Sequence, residues 1–189
     1  MLQQTQVDRV VPKYHEFLRR YPTLRMLAEA SVDDVRRLWY PLGYNIRPIR
    51  LHAIAREALA RYGGRLPRDD AALRDLPGIG RYTAGAIRAF AYGQDAAVLD
   101  TNVRRVLGRV FIGRRPRLRG DAAYWALAEA LVPKGQGYDF NQALMDFGAT
   151  WCTARAPRCA RCPMTPLCAT YPFDGAPAGR RRGRDQRRV

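Results

Sequence analysis

The chain has 189 residues, of which 47% are hydrophobic and 26% are charged, and its formal net charge is +16. This composition excludes a wholly disordered chain and a collagen, and four cysteines are too few for a small disulfide scaffold. The sequence contains neither a run of about 18 apolar residues nor a secretory signal, which predicts a cytoplasmic protein with no membrane partner.

Helical periodicity dominates the chain, and no sustained alternation of apolar and polar residues indicates a β-sheet. We therefore predict an all-α fold. The first helical pattern covers residues 2–20 and is interrupted by Pro12, and the next begins at Ser31 as N-cap and is ended by Gly43. The later patterns cover residues 49–62, 69–76, 82–92, 101–110, 121–132 and 141–150, before a cysteine-rich segment and a tail.

Arginine supplies almost all of the positive charge, since Lys13 and Lys134 are the only lysines. Residues 175–189 hold six arginines and one aspartate, so they carry +5 and leave +11 on residues 1–174. An excess of positive charge on the folded part is typical of proteins that bind the phosphate backbone of nucleic acids. A general preference for arginine combined with a solvated tail is the alternative explanation.

A short glycine-containing turn joins the predicted helices 69–76 and 82–92. Glycine permits positive φ and close approach of another backbone, and the amides that begin the second helix would form an anion site. Such a helix–hairpin–helix can hold one DNA phosphate without reading the base sequence. An ordinary turn between two helices is the alternative. The residues assigned to this DNA contact are Leu76, Gly78, Gly80, Arg81 and Thr83.

Asp100 lies 20 residues after Gly80, between an apolar stretch and a new helix. Taken alone, an aspartate in this position is most often a helix N-cap. Its occurrence together with the hairpin and the cysteine cluster favours a functional role.

All four cysteines fall within 17 residues, with the spacing C-x6-C-x2-C-x5-C. Thiolates this close together can converge on one metal centre, and four of them suit either zinc or an iron–sulfur cluster. Two disulfides or free thiols are the alternative. The predicted ligands are Cys152, Cys159, Cys162 and Cys168.

Taken together, these motifs resemble the helix–hairpin–helix DNA glycosylases of the endonuclease III superfamily. The resemblance rests on LPGIGRYTAGAI at 76–87, VLDTNVRRVL at 98–107 and the cysteine spacing, and it covers residues 1–172. Within the superfamily the chain is most similar to the MutY branch, whose members remove adenine opposite 8-oxoguanine or guanine. The segments similar to that branch are MLQQTQV at 1–7, LWYPLGYNIRPIRLH at 38–52 and NQALMDFGATWCT at 141–153.

The resemblance implies a two-lobed all-α fold that binds double-stranded DNA containing a mismatch or an oxidised guanine, as a monomer. Adenine would be flipped out of the duplex into a cleft between the lobes. It also implies a 4Fe-4S cluster held by the four cysteines. The implied parts are a lobe of about residues 20–110 with the hairpin at 76–80, a lobe of about 1–19 and 111–151, an iron–sulfur loop at 152–168 and a disordered basic tail at 173–189.

The resemblance also assigns roles to individual residues. Asp100 matches the family's catalytic aspartate, whose carboxylate stabilises positive charge on the sugar. Tyr82 matches a position that is lysine in bifunctional endonuclease III, so no Schiff base can form there and monofunctional base removal is expected. Gln3 and Gln4 match residues that approach the opposite strand, and Tyr44 matches one near the opposite guanine. An exposed helix start and simple packing are the alternatives for these three.

The sequence departs from the family pattern in two places. A catalytic glutamate of the family falls two positions before Met1, so we expect a missing amino-terminal stretch and a chain that binds DNA but excises adenine poorly. Typical members carry a carboxy-terminal β-rich domain where this chain has an arginine-rich tail. We therefore expect weaker discrimination of the opposite base and a salt-sensitive non-specific affinity.

Other functions compete with adenine removal. A mismatch thymine or uracil glycosylase of the same superfamily also has tyrosine and aspartate at the positions of Tyr82 and Asp100, whereas Gln3 and Gln4 favour adenine. A DNA-binding relative without catalysis is a second alternative, and a plain zinc-binding protein is a third.

Overall fold

The structure is a computed structural model that describes residues 1, 5–43, 46–113 and 120–173. All regular elements in these residues are helical, which confirms the all-α prediction. Predictions for Gln3, Gln4, Tyr44 and tail residues 174–189 lie outside the described residues. The α-helices are α1 (Val7–Arg20), α2 (Leu24–Glu29), α3 (Val32–Trp39), α4 (Ile46–Tyr62), α5 (Asp70–Arg74), α6 (Arg81–Ala86), α7 (Thr101–Leu107), α8 (Asp121–Leu131) and α9 (Gly137–Thr150).

Shorter helical turns complete the architecture. A π-helical segment, Ile87–Ala91, continues α6, and a second one, Gly108–Ile112, continues α7. Two 3-10 turns, Cys159–Arg161 and Thr165–Leu167, lie in the cysteine-rich segment. None of the described helices combines the length and the apolar character that crossing a bilayer requires.

The chain divides into two compact units, residues 1–84 and 85–189, with the boundary inside α6. The lobes implied by the family resemblance have other boundaries, and they stay a prediction.

The core of the first unit is built by α1 to α4. Helix α4 packs against α2 and α3, and α1 packs against α3. The rings of Phe17 and Trp39 meet edge to face, with centroids 6.1 Å apart and planes at 89°, and Val35 is fully buried beside them. Burying an aromatic or large aliphatic side chain stabilises a fold by about 1.5–3 kcal/mol, so these helices are held chiefly by their apolar faces.

Two helices of the first unit, α1 and α2, differ from the prediction. Helix α1 begins at Val7 and continues through Pro12, although this residue has no N–H for the helical hydrogen bond. Helix α2 was not predicted, because it has only six residues; the Thr23 hydroxyl caps it by accepting from the Met26 N–H at 3.2 Å. The Ser31 N-cap of α3 is confirmed, since its hydroxyl accepts from the Asp34 N–H at 3.1 Å.

Helix α7 is the centre of the second unit and packs against α8 and α9. Its residues Val103, Val106 and Leu107 are buried. Residues 96–99, which lead into α7 and belong to no helix, are buried as well. Asp100, the N-cap of α7, therefore follows directly on a buried segment.

Candidate functional site

The hairpin between α5 and α6 is anchored by apolar side chains. Leu73, Leu76 and Ile79 are buried, and the Ile79 N–H donates to the Leu76 carbonyl at 3.2 Å to close the turn. Gly78 has a φ of +77°, the left-handed conformation that glycine adopts readily. Gly80, which we also expected to use this freedom, has no positive φ. Of the two glycines in the turn, Gly78 is the one whose backbone conformation favours glycine.

The residues after the turn form the start of α6. Arg81, Tyr82 and Thr83 are half-buried there. Tyr82 belongs to the first unit, whereas Asp100 belongs to the second.

The Asp100 carboxylate is held in a fixed orientation at the start of α7. Its Oδ1 accepts from the Val103 N–H at 2.6 Å, which is the N-cap interaction, and its Oδ2 accepts from the Asn102 side-chain amide at 3.3 Å. The side chain remains half-exposed. The N-cap role expected from sequence is therefore confirmed, and it leaves a preoriented carboxylate accessible to a ligand.

A chain of hydrogen bonds leads from this carboxylate to the cysteine-rich segment. Asn102 Oδ1 accepts from Arg105 Nη2 at 2.9 Å, and Arg105 Nε donates to the Cys152 carbonyl at 2.8 Å. Arg105 Nη2 also donates to the carbonyl of Gly148 at 2.7 Å. A Cβ at Gly148 would lie 3.0 Å from Cβ of Asn102, so glycine allows α9 to approach α7 this closely.

Arg109 contacts both ends of the cysteine-rich segment. Its guanidinium donates to the carbonyls of Thr153 and Ala154 at 2.7 and 2.9 Å, and it lies 3.4 Å from the Cys152 sulfur. Its own carbonyl accepts from the Cys168 thiol at 3.4 Å. Sequence analysis identified neither Asn102, Arg105 nor Arg109. Their spacing of three and four residues, which puts them on one helix face, is the signal that could have indicated them.

The four predicted ligands line one cavity. Cys152, Cys159, Cys162 and Cys168 are all free, half-buried thiols, and Phe147, Trp151 and Met164 are among the other side chains that line the cavity. Burial raises the pKa of the Cys159 thiol, and the three other cysteines add to this shift, whereas the Arg109 guanidinium opposes it. The sulfurs are therefore close enough to interact electrostatically.

The described residues do not form a compact group of metal ligands. In the part of the chain that the structure describes, no three His, Cys, Asp or Glu side chains converge closely enough to hold one metal ion. Four sulfurs around tetrahedral zinc would lie about 3.8 Å apart, because the Zn–S distance is about 2.3 Å. By donor type, four thiols at one cavity suit either zinc or an iron–sulfur cluster.

Comparison with known proteins connects these features to DNA repair. Residues 1–119 match the family model described as HhH-GPD superfamily base excision DNA repair protein. The chain is 47% identical over 171 residues to the human adenine DNA glycosylase, an alignment that covers 89% of this chain and 31% of the relative. It is 38% identical over 173 residues to the thymine/uracil-DNA glycosylase of Methanothermobacter thermautotrophicus, covering 90% of this chain and 78% of the relative.

The fold is also found among solved structures. A thermostable thymine-DNA glycosylase is similar with a TM-score of 0.83 and 38% identity, covering 90% of this chain and 79% of the other. The chain spans about a third of the length of the mammalian adenine DNA glycosylases that it matches.

Proposed function

Because the chain belongs to the HhH-GPD superfamily of base excision DNA repair proteins, we propose that it is a DNA glycosylase that removes adenine opposite 8-oxoguanine or guanine. The observation that carries the proposal is the Asp100 carboxylate, preoriented by the Val103 N–H and the Asn102 amide. The identity to the human adenine DNA glycosylase supports adenine as the base.

The chemistry of base removal explains why such a carboxylate is needed. Breaking the N-glycosidic bond builds positive charge on the deoxyribose and negative charge on the departing base. A carboxylate that is already fixed in place stabilises the sugar cation without having to reorganise during the reaction. In Asp100, both oxygens are held by donors from α7, so its orientation is set before substrate binds.

Strand cleavage by a Schiff base is not part of the proposal. That reaction needs an amine nucleophile next to the sugar. The position matching the lysine of bifunctional endonuclease III is Tyr82, which has a phenol instead. The product should therefore be an intact strand with an abasic site.

Removal of thymine or uracil opposite guanine is the second candidate function. It is favoured by the similarity to the thymine-DNA glycosylase structure and by the large share of the thymine/uracil-DNA glycosylase that the chain covers. Tyr82 and Asp100 fit both functions equally.

A single-turnover assay with the full chain in excess over DNA separates the two functions. We expect slow base release from A:8-oxoG and A:G duplexes, and none from T:G or U:G duplexes. Heating in alkali should be required to break the strand. The variant Asp100→Asn should retain duplex binding and lose base release by about 100-fold or more, the scale on which fixed electrostatic groups contribute. Release confined to T:G and U:G would establish the second candidate instead, and undiminished release by Asp100→Asn would exclude a catalytic role of its carboxylate.

For the cysteine-lined cavity we propose a 4Fe-4S cluster with Cys152, Cys159, Cys162 and Cys168 as ligands. Support comes from the four thiols that line one cavity and from the family resemblance carried by their spacing. When bound, the cluster would supply four iron–sulfur bonds that cross-link the segment 152–168. Arg109 would add positive charge and an N–H donor beside Cys152, which favours thiolate ligands.

Metal analysis of the protein as isolated tests this assignment. A cluster predicts iron and acid-labile sulfide in equal amounts, about four of each per chain, and visible absorbance that disappears with chelation after oxidation. Cys162→Ser should lower the iron content, whereas Ser at the exposed neighbouring Ala160 should leave it unchanged. Stoichiometric zinc and a colourless protein would refute the cluster.

A further inference from the structure

An arginine from α4 lies across the glycine turn of the hairpin. A Cβ placed on Gly78 would lie 2.4 Å from Cδ and 3.0 Å from Nε of Arg50. The stem of Arg50 therefore occupies the space that a side chain at position 78 would need. Gly78 thus serves a second purpose besides its positive φ: it admits a cation to the surface of the turn.

Several arginines of the first unit pair with acidic side chains, and Arg50 is not among them. Among the described residues, Arg50 is exposed and no acidic side chain lies within ion-pair distance of it. An exposed guanidinium without a protein carboxylate is available to an external anion. Arginines of this unit that pair with Asp or Glu include Arg25, Arg36, Arg37, Arg61 and Arg74.

We infer that Arg50 is a DNA-contacting residue that supplies a positive charge to the phosphate held at the hairpin. The inference rests on the proposed function only in that the chain binds duplex DNA. Backbone amides of a hairpin carry partial charges, whereas a guanidinium carries a full one and donates in a planar fork that matches phosphate oxygens. Arg50 therefore strengthens binding to every duplex alike and does not read the base sequence.

Salt dependence of DNA binding measures this contact. Each phosphate neutralised by the protein contributes about 0.9 to the slope of log Kd against log salt concentration. For Arg50→Gln we expect that slope to fall by about 0.9, so the ratio of variant Kd to wild-type Kd shrinks about 3.5-fold between 50 and 200 mM salt. The loss should be the same for a matched duplex and for an A:8-oxoG duplex. Arg50→Lys keeps the charge and should keep the slope.

Arg56→Gln is the matched control. Arg56 is also exposed and without an ion pair among the described residues, but it lies six positions further along α4, about 240° around the helix axis. This variant removes the same charge from the same helix and should leave the slope unchanged. Thermal unfolding of each variant verifies that it is folded.

Two outcomes would overturn the inference. Equal slopes for Arg50→Gln and Arg56→Gln would show that position 50 has no special contact with phosphate. A slope lowered equally in Arg50→Lys and Arg50→Gln would show that packing on Gly78, and not charge, is responsible.

Base release is measured separately. A chain that shows the Arg50-dependent slope but releases no base would refute the proposed glycosylase and leave this contact standing.

Discussion

Asn102 is a single side chain that orients two neighbours. Its amide nitrogen donates to the Asp100 carboxylate at 3.3 Å, while its amide oxygen accepts from Arg105 at 2.9 Å. Since an amide offers a donor on one side and an acceptor on the other, asparagine suits a position between a carboxylate and a guanidinium. The position of Asp100 is thereby connected to Arg105, and through it to the Cys152 carbonyl.

Replacing Asn102 by alanine should slow base release without weakening DNA binding. A hydrogen bond to a charged group contributes about 1.5–3 kcal/mol, so the single-turnover rate should fall about tenfold or more. Thr101→Ala is the control, because Thr101 is the exposed neighbour on α7. The measurement compares the rate at saturating protein with the Kd of the duplex. Equal rates for the two variants would show that Asn102 does not orient the carboxylate.

At the scale of elements, the side chains of Asp95 and Asn141 connect the segment 95–98 to α9 and to the turn before it. The Asn141 amide accepts from the Val98 N–H at 3.0 Å and donates to the Ala96 carbonyl at 2.8 Å. Asp95 accepts from the N–H groups of Gly135 and Gly137 at 2.7 and 3.1 Å. A buried segment that belongs to no helix must satisfy its backbone groups in this way, because each unsatisfied group costs free energy.

Asn141→Leu should therefore destabilise the whole protein. Leucine has a similar size, but it leaves the Val98 N–H and the Ala96 carbonyl buried without partners, a cost of about 2–5 kcal/mol for two groups. Urea unfolding followed by circular dichroism gives the change in the free energy of unfolding. Gln142→Leu at the exposed neighbouring position should change it by at most about 0.5 kcal/mol. If both variants unfold at the same urea concentration, Asn141 is not the anchor of this segment.

For the molecule as a whole, sequence reasoning succeeded where the signal is local. The N-caps Ser31 and Asp100 were recognisable because capping is decided within four residues, and both side chains accept from a backbone N–H. Asp69 was expected as the first residue of its helix, whereas it is the N-cap of α5. The apolar period of α4 and α7 likewise predicted helices in the right places, although α4 begins three residues earlier than expected.

Contacts between residues far apart in sequence were not predictable in the same way. Arg105 and Cys152 are 47 residues apart, and Arg50 and Gly78 are 28 apart. Nothing in the pattern around an arginine indicates whether its partner is solvent, an acidic side chain or a distant backbone carbonyl. Asn141 was expected only as the start of a helix, whereas it lies inside α9 and is 1% exposed. These positions depend on how the helices pack, which a periodic pattern does not specify.

Arg105 and Arg109 bind the cysteine-rich segment through its main chain, at the carbonyls of residues 152–154. A carbonyl is common to all twenty amino acids, so mutational drift at Thr153 and Ala154 leaves these acceptors intact. The donors have no such freedom, because lysine lacks the planar fork that reaches several carbonyls at once. We therefore expect few tolerated substitutions at the two arginines that donate these hydrogen bonds. We expect many tolerated substitutions at the loop residues whose carbonyls accept them.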